Sequence, residues 1–271
     1  TNGYVVAMIG GAGEKVVDRG WNWAVNARQC GSAIKPVSTY APALDDGTIN
    51  GASVIDDYPM LLNGEVWPRN ANWRYQGLTA LHTAIAQSLN TCAVRTNLAY
   101  GVSNSYDFLV NKLGFENLTY TDSQQVGNMA LGGFEKGVTT EEMSAAYAAF
   151  VNEGVYTKPR TYIRVEDANG NVVLENEAQS TVAMKNTTAA IINHLLQEAA
   201  LNGTGYEAQF SGMHIAGKTG STNSNKDRYF VGYTPYYSCA VWAGYEHNQR
   251  IVASGNPCSA VFRKVMKAIH E

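Results

Sequence analysis

Three short motifs that carry hydroxyl and amine side chains stand far apart along this chain of 271 residues. In chain order they are Ser32-Ala33-Ile34-Lys35, Ser88-Leu89-Asn90 and Lys218-Thr219-Gly220-Ser221. Each motif alone is weak, because Ser-x-x-Lys is common by chance and Ser and Asn are frequent in caps and at surfaces. Their joint order is much more specific, and it favours a fold that gathers the three segments into one acyl-transfer site.

The first motif contains a candidate nucleophile and a candidate base. A serine hydroxyl is a poor nucleophile at neutral pH and must give its proton to a nearby base. Residues i and i+3 of a helix share one face, with Cβ atoms about 5–6 Å apart, so Ser32 and Lys35 can touch if this segment is helical. Gly31 allows a close turn before the serine, and Pro36 is tolerated only within about the first helical turn. The sequence therefore predicts a helix that begins at Ser32.

Lys35 must be neutral to act as the base, whereas the pKa of a free lysine is about 10.4. Desolvation and a second positive charge both lower the pKa of a lysine. Lys218 is the natural second cation. Ser88 can relay a proton between Lys35 and a leaving group.

The remaining motif residues are candidates for substrate binding. The side chain of Asn90 can both accept from and donate to a substrate amide. The third motif is typical of a strand at the edge of a sheet, where Gly220 lets a substrate backbone approach closely. Lys218, Thr219 and Ser221 then offer donors to a substrate carboxylate.

The three motifs together match the signature of penicillin-binding proteins and serine β-lactamases, and the resemblance extends over nearly the whole chain. Gly31–Pro36, followed by Tyr40–Leu44, resembles the active-site helix of the transpeptidase domain of bifunctional (class A) penicillin-binding proteins. Other segments that resemble this family are Gly3–Gly11, Ala130–Gly133, Met143–Tyr147, Phe230–Pro235 and Val241–Tyr245. Two departures are Cys30, where the family usually has proline, and Ser221, where threonine is common. Serine keeps the hydroxyl donor, so the carboxylate contact is expected to survive.

The resemblance implies a serine D,D-transpeptidase that cross-links peptidoglycan stem peptides, is acylated by β-lactams and needs no cofactor. The catalytic residues would be Ser32, Lys35 and Ser88, and the substrate-binding residues would be Asn90, Lys218, Thr219, Gly220 and Ser221. Backbone N–H groups of Ser32 and Ser221 would form the oxyanion hole. The parent protein would be anchored at the extracytoplasmic face of the bacterial membrane, with a glycosyltransferase domain outside this chain. A serine β-lactamase, a D,D-carboxypeptidase and a non-enzymatic β-lactam sensor remain as alternatives.

Composition excludes several other functions. The net charge of −3 does not indicate the basic surface that binds nucleic acid. The sequence also has no basic run of the kind that binds a membrane surface. No apolar stretch reaches the roughly 18 residues that span a bilayer. The five histidines show no metal-ligand spacing with each other or with cysteine, so we expect no metal site. The four cysteines are too few for a disulfide scaffold, and their pairing stays open.

The expected fold class is α+β, with an antiparallel sheet flanked by helices and a mainly helical subdomain, as in penicillin-binding proteins and serine β-lactamases. The sheet subdomain would comprise about residues 1–31 and 210–271, and the helical subdomain about 32–209. A first strand at Tyr4–Ile9 would share one sheet with three later strands, and a C-terminal helix would pack on that sheet. The later strands are expected at His214–Thr219, Tyr229–Tyr233 and Tyr237–Trp242, and the helix at Ser259–His270.

Three local signals organise the middle of the chain. Leu78–Ala99 has helical spacing, with Ser88 expected near a helix end or turn. Thr139 and Thr140 are cap candidates for a helix that ends at Phe150. Asn169-Gly170, between two β-prone runs at Thr161–Val165 and Asn171–Leu174, predicts a hairpin as the one interruption of the helices.

Overall fold

The described residues, 2–14, 17–62 and 64–271, form nine α-helices and eleven short strands in the computed structural model. The strands are β1 (Val54–Asp57), β2 (Leu61–Leu62), β3 (Glu65–Val66), β4 (Gly77–Ala80), β5 (Val155–Thr157), β6 (Arg164–Glu166), β7 (Val172–Glu175), β8 (Ser180–Val182), β9 (Ala216–Ser221), β10 (Asp227–Tyr233) and β11 (Ser238–Gly244). The helices are α1 (Ala41–Asp45), α2 (Leu81–Ala86), α3 (Asn90–Tyr100), α4 (Val102–Asp107), α5 (Tyr120–Gln124), α6 (Val126–Leu131), α7 (Thr140–Val151), α8 (Asn186–Leu201) and α9 (Pro257–His270). None of these helices is long and apolar enough to cross a bilayer.

The main sheet has the order β11-β10-β9, and both pairs are antiparallel. Successive side chains of a strand point to opposite faces, and β10 buries both of its faces. Phe230 packs against Phe262 of α9, with ring centroids 4.8 Å apart. Tyr229 and Val231 face the opposite side and join the larger core that contains Tyr147 of α7. The three predicted late strands and the C-terminal helix are thus confirmed, with shifts of about two residues at several ends.

The predicted first strand is not part of this sheet. Tyr4 makes only an isolated parallel bridge with Arg160, whose carbonyl accepts the N–H of Val5 at 2.9 Å. Val6 and Ile9 remain 67% and 80% exposed, so pairing here buries no apolar face. The expectation of a sheet shared by Tyr4–Ile9 and the late strands is therefore wrong within the described residues, since an apolar run does not by itself specify its pairing partner.

The predicted helix over Leu78–Ala99 is divided into three elements. Gly77–Ala80 is strand β4, which pairs antiparallel with β1. A turn separates α2 from α3, and in it Ser88 has φ +59°. A non-glycine residue in this left-handed region is uncommon and interrupts a helix. The helical spacing is thus confirmed for α2 and α3 but not for the first residues of the segment, which form β4. The expectation of Ser88 near a helix end or turn is confirmed.

The other two local signals of the middle region are confirmed. Thr139 caps α7 in a reciprocal capping box with Glu142. The hairpin forms between β6 and β7, and the Asp167 carboxylate accepts N–H groups from Asn169 and Asn171 at its turn. It is not the only β interruption, however. The pairs β1-β4, β2-β3 and β5-β8 also lie among the helices, because strands of two to four residues carry too little periodicity to be recognised.

Removal of the aromatic contact between α9 and the sheet tests this packing. Phe262→Ala should lower the free energy of unfolding by about 3–5 kcal/mol, because it leaves a cavity against Phe230. The matched control is Val261→Ala on the same helix, where the side chain is 46% exposed. Urea unfolding of both variants measures the difference. Equal effects of the two substitutions would contradict the packing described here.

Candidate active site

The start of the helix that carries Ser32 lies directly against strand β9. Gly31 has φ +54°, and a Cβ atom there would overlap the backbone of Ser221. A Cβ atom at Gly220 would overlap the carbonyl oxygen of Cys30. Glycine at both positions therefore lets the two backbones touch, which brings the first and third motifs together. Gly220 thus has a structural role at the helix start, and its expected role in the close approach of a substrate stays a prediction.

The helix that carries Ser32 and Lys35 is continuous but irregular. A 3₁₀ turn over Gly31–Ile34 is followed by a π-helical turn over Pro36–Tyr40 and then by α1, so the predicted helix is confirmed. Ser32 is partly exposed between buried neighbours, which leaves its hydroxyl accessible to a substrate.

Buried hydrogen bonds hold this helix in place. The Tyr147 hydroxyl donates to the carbonyl of Ala33 at 2.6 Å. The Ser38 hydroxyl bonds the carbonyls of Ile34 at 3.0 Å and Met129 at 2.7 Å. The position of Ser32 is therefore set by contacts from α6 and α7 as well as from β9.

The amine of Lys35 is fully buried and reaches the second motif. Its Nζ donates to the backbone carbonyl of Ser88 at 2.8 Å and to the Oδ1 of Asn90 at 2.7 Å. The Ser88 hydroxyl lies 3.4 Å away. Within the described part of the chain, the Ser32 hydroxyl makes no hydrogen bond to this amine. Catalytic hydrogen bonds of free enzymes are often long and tighten only when substrate binds.

Burial lowers the pKa of Lys35 well below its usual value, and the positive charge of Lys218 lowers it further. Lys218 is itself fully buried, which lowers its pKa to about 7. Among the described residues, no carboxylate lies within ion-pair distance of either lysine. Both effects predicted for Lys35, desolvation and a second cation, are thus present.

The partners of Lys35 suit a neutral amine. A neutral amine has two N–H groups and one lone pair. Two carbonyl oxygens, from Ser88 and Asn90, can take both N–H groups, which leaves the lone pair for a hydroxyl proton. The arrangement can therefore accept a proton from a serine.

Asn90 is oriented by its own hydrogen bonds. Its Oδ1 accepts from Lys35, while its Nδ2 donates to the carbonyl of Arg69 at 2.7 Å. Its backbone N–H at the start of α3 donates to the Oδ1 of Asn70 at 2.8 Å. The second motif is thus held from the segment that precedes it.

A buried carboxylate behind Asn70 completes this support, and sequence reasoning missed it. Asp57 is fully buried and accepts from the Nδ2 of Asn70 at 2.7 Å, from the hydroxyl of Thr91, and from the N–H of Gln76 at 2.9 Å. These residues form no local motif, since the contacts connect β1, a loop and α3. Only the tertiary structure identifies Asp57 and Asn70 as supports of the site.

The third motif presents its side chains on two faces of β9. Lys218 lies inside, where its Nζ contacts the carbonyl of Thr219 at 3.2 Å. The hydroxyl of Thr219 bonds that of Thr204 at 2.7 Å, and the Ser221 hydroxyl accepts from Arg228 at 2.9 Å. The structure thus gathers all three motifs, with Lys218 close enough to Lys35 to affect its pKa.

The cysteines near the site are buried thiols. Cys30 and Cys92 are fully buried, and burial raises the pKa of both, to about 12 for Cys92. All four cysteines of the chain are free. The described residues contain no group of three or more metal-ligating side chains. The polar chemistry of the site therefore comes from serine, lysine and asparagine side chains.

Loss of Asn70 tests the buried support. Asn70→Ala should lower the free energy of unfolding by about 2–3 kcal/mol, because Asp57 and the Asn90 N–H each lose a buried partner. Asn111→Ala, at an exposed position, is the control and should change it by less than about 0.5 kcal/mol. Denaturant unfolding measures both. An unchanged free energy of unfolding in Asn70→Ala would show that the buried network contributes nothing to stability.

Comparison with known proteins identifies the family of this chain. The family model of the penicillin-binding protein transpeptidase domain matches residues 1–267. Penicillin-binding protein 1A of Clostridium perfringens is 33% identical over 99% of this chain and 41% of its own length. Penicillin-binding protein 1A/1B of Bacillus subtilis is 34% identical over 99% of this chain and 30% of its own length. The chain therefore spans less than half of these relatives.

Solved structures show the same fold. Penicillin-binding protein 1A of Haemophilus influenzae has a TM-score of 0.77 at 22% identity, over 93% of this chain and 44% of that chain. The penicillin G acyl-enzyme complex of penicillin-binding protein A from M. tuberculosis has a TM-score of 0.76 at 18% identity, over 92% and 63%. The expected α+β fold of penicillin-binding proteins is thus confirmed. With the family model matching almost every residue, this chain belongs to the penicillin-binding protein transpeptidase family, as its resemblance to class A members predicted.

Proposed function

We propose that this domain is a serine D,D-transpeptidase that cross-links peptidoglycan stem peptides and is acylated by β-lactams. The observation that carries the proposal is the buried amine of Lys35. It lies on the same short helix as Ser32 and contacts both polar residues of the second motif. A lysine with a lowered pKa is the base that a serine nucleophile needs at neutral pH.

Acylation begins when the Ser32 hydroxyl oxygen attacks the carbonyl carbon of the penultimate D-Ala. The hydroxyl proton passes to the neutral amine of Lys35 as the C–O bond forms. The backbone N–H groups of Ser32 and Ser221 stabilise the oxyanion, and the contact between Gly31 and Ser221 supports this role for the two segments. The C–N bond to the terminal D-Ala then breaks, and its nitrogen receives the proton from Lys35 through the Ser88 hydroxyl.

Transfer to the acceptor reverses these steps. The amine of a neighbouring stem peptide attacks the acyl carbon and loses a proton towards Lys35. The ester C–O bond breaks, and Ser32 regains its proton. Asn90 binds a substrate amide during both steps. Lys218, Thr219 and Ser221 bind the carboxylate of the donor during acylation, until the terminal D-Ala that carries it leaves. Gly220 keeps β9 close to the helix start.

A β-lactam enters the same sequence with a different leaving group. Ser32 attacks the ring carbonyl, and the ring C–N bond breaks. The nitrogen takes the proton but stays tethered to the acyl group, so it blocks the acceptor amine.

The parent protein is expected to be larger than this chain. Because the chain spans 41% or less of the two curated relatives described above, the parent has room for a glycosyltransferase domain and a membrane anchor. We infer that this parent places the transpeptidase domain at the extracytoplasmic face of the bacterial membrane, where peptidoglycan stem peptides occur.

Intact mass after incubation with benzylpenicillin tests the proposed function. The protein should gain one drug mass and keep it for hours, and Ser32→Ala should gain none. Ser103→Ala, at an exposed serine, is the control and should label normally. Labelling of Ser32→Ala would contradict the assignment of the nucleophile. Rapid return to the unmodified mass with drug consumed would indicate a β-lactamase instead.

The pH dependence of acylation tests the role assigned to Lys218. Acylation should quicken as pH rises through the pKa of Lys35, because only the neutral amine accepts a proton. Lys218→Met removes a positive charge that lowers the Lys35 pKa. The acid limb of the pH profile, over which the acylation rate rises, should therefore move to higher pH. Lys226→Met, at an exposed lysine of the same sheet region, should leave the limb in place. An unshifted limb, or one at lower pH, in Lys218→Met would contradict the account.

A further inference from the structure

Arg228 lies on the strand next to the third motif and contacts that motif directly. In the antiparallel pairing of β10 with β9, Arg228 is opposite Ser221. Side chains that are opposite each other in an antiparallel pair lie on the same face. The guanidinium accordingly donates to the Ser221 hydroxyl at 2.9 Å.

The positive charge of Arg228 has no anionic partner in the described ranges. The only hydrogen bond of its side chain there is the one to Ser221, and its buried Nε has no partner. Nearby Asp227 is already engaged by Arg28 at 3.2 Å and by Trp242 at 3.0 Å. A guanidinium has five N–H donors in a fork that matches a carboxylate, so Arg228 is equipped to bind an anion at this edge.

The surroundings indicate which anion would fit. The hydroxyls of Ser221 and Thr219 lie on the same face of β9 as the guanidinium, at the position where the proposed function places the donor carboxylate. Lys218 is a weak anchor for that carboxylate, because burial lowers its pKa to about 7. An arginine stays charged at any working pH.

We propose that Arg228 is a further substrate-binding residue, whose guanidinium binds the carboxylate of the donor peptide or of a β-lactam beside the Ser221 hydroxyl. This inference rests on the proposed function. Arg228 acts on recognition of the carboxylate and takes no part in proton transfer.

Acylation by benzylpenicillin and by its methyl ester separates these roles, since the ester lacks the carboxylate charge. In Arg228→Gln the second-order rate constant for benzylpenicillin should fall about 10- to 100-fold, the usual range for loss of a hydrogen bond to a charged group. The rate constant for the ester should stay within about twofold. Lys226→Gln removes the same charge from the neighbouring exposed site and should leave both rate constants unchanged.

Arg228→Lys is a second, more conservative variant for the case that Arg228→Gln does not fold. It keeps the positive charge but loses the two-pronged geometry of the guanidinium. It should therefore lower the preference for the acid over the ester. Thermal unfolding checks each variant. Equal slowing of acylation by the acid and by the ester would mean that Arg228 has a purely structural role, which overturns the proposal. Unchanged acylation by both compounds would overturn it as well. If the unsubstituted protein is not acylated at Ser32, the proposed function fails; if it is acylated but the acid-to-ester ratio is the same in all variants, only this inference fails.

Discussion

The burial of one amine organises the site. A lysine side chain without water loses the charged form unless an anion compensates, and no such anion lies beside Lys35 in the described residues. Two carbonyl oxygens, from Ser88 and Asn90, satisfy its N–H groups instead. The same contacts hold the second motif at the helix that carries Ser32. The lowered pKa of Lys35 and the position of its partners therefore have one physical cause.

The second constraint is a backbone contact between the helix start and β9. Glycine at positions 31 and 220 removes the side chains that would separate Cys30 from Ser221. This contact sets Ser32 beside the third motif and buries Lys218 within electrostatic range of Lys35. On the opposite face of β9 the hydroxyls stay accessible and meet Arg228. A single strand thus places a buried lysine on one side and the hydroxyls of Thr219 and Ser221 on the other.

Sequence alone predicted the parts of the fold that depend on local chemistry. The capping box at Thr139 and the Asn169-Gly170 turn are confirmed because their hydrogen bonds lie within a few residues. The pairing partners of strands could not be predicted in the same way. Tyr4 bridges Arg160, and Gly77–Ala80 pairs with β1. No local sequence pattern encodes these contacts. The motif residues could be chosen from their order. Asp57 and Asn70 could not, since they reach Asn90 only after three distant segments have packed together.

The central claim is that burial beside a second cation holds the pKa of Lys35 well below its ordinary value. Lysine labelled with ¹³C at Cε reports protonation through its chemical shift, and comparison with Lys35→Met assigns the Lys35 signal. This signal should titrate well below about 10.4, the pKa of a free lysine. Titration of Lys35 at about this free-lysine value would contradict the claim.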